Sequence, residues 1–236
     1  MKIGIMQPYF FPYLGYFSLI KHTERFILLD SVQFVRHGWV SRNRILKPES
    51  GWQYILVPLV KHSRDTKIKD VSIKKELDWR NTIFHQLEHY KKRAPFYRDT
   101  IGVLKTALNI ETESIVHLNA HALKKVCDYI GVKLNVNVFS EMHLSIDEVK
   151  ASDEWTLNIC KALGNVDEYC NPEGGLEFYD RSKFYKTGID IKFLSMNIQK
   201  YSQRRPEFEA RLSIVDTMMF NKPEKINEML DDYRLL

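Results

Sequence analysis

The sequence predicts an α/β protein: a layered, Rossmann-like and mostly parallel sheet covered by helices, with the order of its strands left open. Two observations carry that prediction. KIGIM and FILLD are short apolar runs separated by a segment of helix length, which is the strand-helix-strand rhythm of a parallel sheet. Further on, strand-like runs and helical stretches alternate again, through VDEYC and DIKFLSM.

In chain order, KIGIM is the first strand and meets a proline-bearing turn, and FILLD is the second, ending at Asp30. WQYILVPLV and KIKDVSI are expected as two further strands, joined by the charged loop KHSRDTK into a hairpin. Residues 78–131 then turn helical. Asp78 is placed to cap DWRNTIFHQLEHYKK, a second helix follows Pro95 from Phe96 to Leu108, and a third runs from Glu113 to Ile130 and stops at Gly131. LNVNVF is expected as a strand. Ser145 and Glu148 have capping-box spacing, and a helix near Asp153 to Leu163 ends at Gly164. The strands VDEYC and DIKFLSM flank a loop, NPEGGLEFYD, and helices starting near Ser213 and Pro223 carry the chain to Leu236.

With 236 residues, 44% of them hydrophobic and 28% charged, the chain can bury one substantial core and is unlike a disordered polymer. No linker-like stretch or repeat divides it, so residues 1–236 are expected as a single domain. The first residues lack the long apolar stretch of a secretory signal, and no run is long enough to span a bilayer. Cys127, Cys160 and Cys170 are widely spaced, which fits a reducing cytoplasm. The net charge of +5 suits an anionic ligand, but the basic residues are spread along the chain, so no stable nucleic-acid complex and no membrane insertion are expected.

Residues 7–44 carry the polar chemistry. The turn QPYFFPYLGY follows the first strand, where open α/β sheets place their ligands. Its prolines stiffen the turn, Gly15 permits close backbone approach, and Gln7 offers a donor and an acceptor where the strand stops. Beyond Asp30 come Gln33, Arg36, Trp39, Arg42, Asn43 and Arg44. Guanidinium forks suit carboxylate or phosphate, an indole can stack on a ring, and Asp30 can serve as local acid or base. The plainer reading of Asp30 is a partner for Arg42 or Arg44, or a turn cap.

QPYFFPYLGYFSLI, LDSVQF and GWVSRNRIL together resemble the opening of the WbqC-like protein family. Later fragments are similar too, among them Leu118-Asn119, Asn171-Pro172 with Gly174-Gly175, and Tyr201-Ser202-Gln203. The resemblance implies a link to bacterial surface-polysaccharide gene clusters, O-antigen in particular, and a glycine or aminoacyl transferase role. It implies no assigned catalytic residues. A second, weaker resemblance joins Tyr13-Leu14-Gly15-Tyr16 to the His-Ile-Gly-His turn of nucleotidylyltransferases, with two tyrosines in place of the phosphate-binding histidines.

Two other patterns have plainer readings. His85-Gln86-Leu87-Glu88-His89 matches an H-x-x-E-H zinc signature, yet no third ligand is evident and histidines at this spacing are common on amphipathic helices. Cys170 reads as a buried structural thiol before it reads as a nucleophile. No metal is expected, and no cofactor beyond a nucleotide or an acyl or aminoacyl donor.

With what the resemblance implies, the expected function is transfer of a small acyl or aminoacyl group, such as glycyl, onto an anionic or nucleotide-linked amino sugar in surface-polysaccharide (O-antigen) biosynthesis. Asp30 and Gln7 are the expected catalytic residues. Tyr13, Tyr16, Gln33, Trp39, Arg42, Asn43, Arg44, Asn119, Tyr201 and Gln203 are the expected substrate contacts. The alternatives are a nucleotidylyltransferase-like enzyme built on the YLGY turn and a non-enzymatic module that binds nucleotide sugars.

Overall fold

The computed structural model describes residues 1–236. Strand β1 (Lys2–Met6) lies beside β2 (Arg25–Leu28), and the two are joined through helix α1 (Leu14–Lys21). A two-stranded antiparallel ribbon follows, β3 (Arg42–Leu46) against β4 (Trp52–Leu56). Helices α2 (Trp79–Leu87), α3 (Tyr97–Leu108) and α4 (Ile115–Ile130) form the helical middle. The chain then returns to the sheet as β5 (Val136–Val138), α5 (Glu154–Leu163), β6 (Glu168–Pro172), α6 (Arg181–Tyr185) and β7 (Asp190–Met196). Helices α7 (Ile214–Phe220) and α8 (Pro223–Met229) and strand β8 (Tyr233–Leu235) complete it.

The main sheet has the order β5-β2-β1-β6-β7-β8, parallel throughout except for β8. Its five parallel strands, counted in chain order, stand as third, second, first, fourth and fifth. The winding direction therefore reverses between β1 and β6, and the crevice outside their carboxyl ends is the place where such sheets bind ligands.

Side-chain alternation divides the core. Ile3, Ile5, Ile27, Tyr169, Ile191 and Phe193 face α5 and α6 through Leu157, Ile159, Cys160 and Phe184. Phe26, Leu28, Cys170 and Leu194 face the opposite layer, where α1, α4 and α7 pack. Gly4 permits this closeness, because a Cβ there would lie 2.8 Å from the Phe26 ring. No helix is long and apolar enough to cross a membrane.

Four sequence expectations are corrected. KIKDVSI forms a single 3-10 turn (Ile68–Asp70) and three isolated bridges, Lys67 to Gln33, Ser72 to Ser114 and Ile73 to Leu59; its buried residues Ile68, Val71 and Ile73 stand three and then two apart, which breaks strand alternation. β4 pairs instead with β3. Asp78 precedes α2 without capping it, its carboxylate being taken by Asn81 Nδ2 at 2.8 Å. Ser145 and Glu148 form no capping box, and Glu154 takes the Lys150 and Ala151 amides at 2.9 and 3.2 Å. The last residues are not helical: Leu236 and Phe193 exchange backbone hydrogen bonds and β8 closes the sheet edge.

Other boundaries fall where the sequence places them. Ser114 caps α4 by accepting the His117 amide at 3.3 Å, and Gly131 ends it at φ +69°. Gly164 ends α5 at φ +76°, and Ser213 caps α7 by accepting the Val215 amide.

Candidate functional site

A cleft of about 1260 Å³ opens at the carboxyl edge of the sheet, at the β1–β6 reversal. Met6 and Gln7 stand at the end of β1, Leu29 and Ser31 just after β2, Asn171 to Gly175 at and after the end of β6, and Met196 at the end of β7. Its floor is thus dictated by topology, and loops supply its walls.

The turn after β1 is held from behind. Asn119 Nδ2 donates to the Pro8 and Val40 carbonyls, both at 2.8 Å, and Asn43 Nδ2 donates to those of Phe10 and Phe11 at 3.0 and 2.9 Å. Ser213 Oγ reaches the Phe11 carbonyl at 2.7 Å, and the Tyr16 hydroxyl reaches that of Gln7 at 2.8 Å. These donors hold Phe11 at φ +40°, a conformation that non-glycine residues adopt only when their surroundings impose it. The turn delivers the first turn of α1 to the cleft, with Leu14 and Gly15 in its wall. Tyr13 at the N-cap provides no side-chain acceptor and no acid stands in the first turn, so the positive end of the helix dipole is open there. Burial pushes the Tyr13 phenol up to about 12, with Arg211 opposing, which keeps it a neutral donor.

Two arginines line the same cleft. The Arg44 guanidinium lies over Trp39 and Trp52, at 5.4 and 5.2 Å from their ring centroids, and its Nη2 donates to the Arg211 carbonyl at 3.1 Å. Its Nε is buried without a hydrogen bond. Arg211, at φ +56°, extends Nη2 to Glu173 Oε1 at 3.0 Å, and Ser195 Oγ donates to the other Glu173 oxygen. Glu173, Arg211, Arg44 and Tyr13 all line the cleft.

Of the residues singled out in the sequence, the cleft brings together Gln7, Tyr13, Gln33, Trp39, Asn43, Arg44 and Tyr201. It does not bring in Asp30, Tyr16, Arg42, Asn119 or Gln203. Asp30 is 1% exposed and faces Ser140, whose amide and hydroxyl donate to its carboxylate at 3.0 and 2.6 Å, closing the turn after β5. Arg42 lies 4.0 Å from the Tyr54 ring centroid and donates to the His37 carbonyl. Tyr16 and Asn119 hold the turn, and Gln203 donates to Asp216 at 2.8 Å.

Sequence reasoning missed Glu173, Arg211, Trp155 and Tyr179. The signal for Glu173 was present, since a Gly-Gly pair directly after a strand marks close backbone packing. A Cβ on Gly175 would come within 2.3 Å of Asn171 Oδ1. Arg211 lies in irregular chain and gave none. The zinc pattern assembles no metal site: His85 pairs with Glu88 at 3.2 Å, and His89 Nδ1 with the Gln86 carbonyl at 2.8 Å. Burial pushes the Cys170 thiol up to about 12, so it is no poised nucleophile.

The sequence profile of the WbqC-like protein family matches residues 7–228. An uncharacterized protein of Mycobacterium tuberculosis is 27% identical over 223 residues, 93% of each chain. No solved structure matches.

Proposed function

The chain belongs to the WbqC-like protein family, and on that premise we propose that its cleft binds an anionic small molecule of the nucleotide-sugar class. The protein on this reading is a transferase that moves a small acyl or aminoacyl group onto an amino sugar in surface-polysaccharide assembly. One observation carries the reading: the uncapped N-terminus of α1, Arg44 and Arg211 all line one cleft at the reversal point of the sheet. Helix amides and guanidinium forks together are a phosphate- or carboxylate-binding arrangement.

Glu173 takes the role of general base. The acceptor nitrogen attacks the acyl carbon, the bond between acyl group and donor breaks with its electron pair leaving on the donor, and the nitrogen's proton passes to Glu173. Arg211 and Ser195 orient that carboxylate. Tyr13 offers a neutral hydroxyl to the ligand. The nucleotidylyltransferase comparison is weakened by Tyr16, whose hydroxyl is turned inward to the Gln7 carbonyl in a fully buried side chain.

The test combines calorimetric titration of UDP and UDP-N-acetylglucosamine with mass-spectrometric assay of acyl and aminoacyl donors against amino-sugar nucleotides. Binding with a mass gain on the sugar supports the proposal. Binding without turnover makes the protein a carrier or assembly module, and no binding of either nucleotide removes the anion site.

A further inference from the structure

The cleft has two ends of different chemistry, and we infer that the end formed by the start of α5 is a second subsite, which holds the neutral hydroxylated ring of the ligand. The claim depends on the proposed reading only for what occupies the other, cationic end. Ser152, Trp155 and Thr156 bring the beginning of α5 into the cleft wall, opposite the sheet face that carries α1, and Phe178 and Tyr179 stand with them.

The electrostatic contrast between the two helix starts decides what each accepts. At α1 there is no acid and no side-chain cap. At α5 there is no side-chain cap either, but acids stand at its start: Asp153 is the N-cap residue, Glu154 is the first helical residue, and Lys183 Nζ stands 3.0 Å from both. An anion placed there would meet two carboxylates whose cation is already engaged. What remains for a ligand is the Trp155 indole and the small hydroxyl side chains.

One of those hydroxyls is left unsatisfied by the fold. Thr156 is 3% exposed, and its Oγ1 has only the Tyr179 hydroxyl beside it, without a well-formed hydrogen bond, while that hydroxyl is engaged with Tyr169 at 2.9 Å. A buried hydroxyl without a partner is unfavourable, and a ligand hydroxyl can supply the missing bond. Threonine in a helix occupies two χ1 wells, so a single rotation turns Oγ1 to a ligand without moving the backbone. An aromatic face beside a few hydroxyl donors and acceptors matches a sugar ring: its C–H face lies on the indole and its rim is hydrogen-bonded.

The experiment follows the Trp155 indole N–H by NMR, assigned with Trp155→Phe, during titration with N-acetylglucosamine, UDP and UDP-N-acetylglucosamine. The wild type is expected to show a saturable shift with both sugar-bearing probes and to bind UDP-N-acetylglucosamine about tenfold more tightly than UDP, as one good buried contact allows. Trp155→Ala and Thr156→Val should erase that margin and leave UDP affinity unchanged. If UDP fails to bind while N-acetylglucosamine still shifts Trp155 and the shift is lost in Thr156→Val, the nucleotide reading falls and this subsite stands. A silent Trp155 signal with N-acetylglucosamine, or an intact margin in both variants, overturns the inference.

Discussion

The Tyr201 hydroxyl donates to Asp216 Oδ2 at 2.7 Å, which ties a residue of the cleft wall to a fully buried carboxylate on α7. Gln203 donates to the same oxygen at 2.8 Å and Tyr90 to the other at 2.7 Å, and the Tyr90 hydroxyl in turn accepts the Leu46 amide at 2.9 Å. One carboxylate thus joins β3, α7, the turn after α2 and the irregular segment that carries Arg211. Buried charges are tolerated only with such a complement of donors.

Burial raises the Asp216 carboxyl from its ordinary 3.8 to about 6, with Tyr201, Tyr90, Gln203 and Arg205 opposing. A native pKa above the unfolded one favours folding at low pH, and that contribution is lost as pH rises through about 6. Across this window the loss is on the order of 3 kcal/mol. Wild type relative to Asp216→Asn should therefore be more stable near pH 4 than near pH 7, as followed by urea unfolding at each pH. A constant difference between the two proteins would show that Asp216 does not titrate in this range.

The two arginines of β3 should separate cleanly. Arg44→Ala removes a guanidinium from the cleft and is expected to weaken UDP binding by about 1.5 to 3 kcal/mol, the usual worth of a charged hydrogen bond. Arg42→Ala should leave UDP affinity within twofold, because Arg42 sits on Tyr54 and His37 outside the cleft. Calorimetry on both variants decides, and equal losses would mean that the anion lies elsewhere along β3.

The adjacent glycines after β6 make an internal control. A methyl group on Gly174 meets nothing within 4 Å, whereas one on Gly175 must displace Asn171, whose Nδ2 holds the Tyr169 hydroxyl at 2.6 Å. Gly174→Ala should keep the wild-type melting temperature. Gly175→Ala should lower it, with a stability loss of about 1 to 3 kcal/mol for overpacking a filled site, and should disturb the Tyr179 end of the cleft. A matched pair of melting curves checks this.

The sheet was legible because its strands announce themselves locally. KIGIM and FILLD are apolar runs, VDEYC and DIKFLSM are strand-like ones, and four of the helix ends carry Ser or Gly where capping needs them. β3 was not legible, since RNRIL is polar and becomes a strand only by pairing with β4. The site was half legible for a related reason. Gln7, Tyr13, Trp39 and Arg44 sit close in sequence to the turn they line, whereas Glu173 and Arg211 reach Tyr13 only through the fold. Asp30, Asn43 and Asn119 read as ligand contacts in the sequence, but each also has work in the fold: a tight, strained turn buries its carbonyls and takes Asn43 and Asn119 as donors, and Asp30 caps the turn at Ser140.

Glu173 decides whether the cleft is catalytic. Its carboxylate is held on one oxygen by Arg211 and on the other by Ser195, so Glu173→Gln preserves the shape while removing the proton acceptor. If Glu173 takes the acceptor proton, turnover should fall on the order of a hundredfold or more, with UDP-N-acetylglucosamine affinity changed far less. If it only orients Arg211, the substitution should loosen nucleotide binding first, and turnover should recover at saturating ligand. Asp30→Asn serves as the comparison: with its carboxylate closed on Ser140, it should lower the melting temperature while turnover per folded molecule stays near wild type. Kinetics, affinity and melting measured on both variants separate the roles, and full activity in Glu173→Gln would remove this residue as the base.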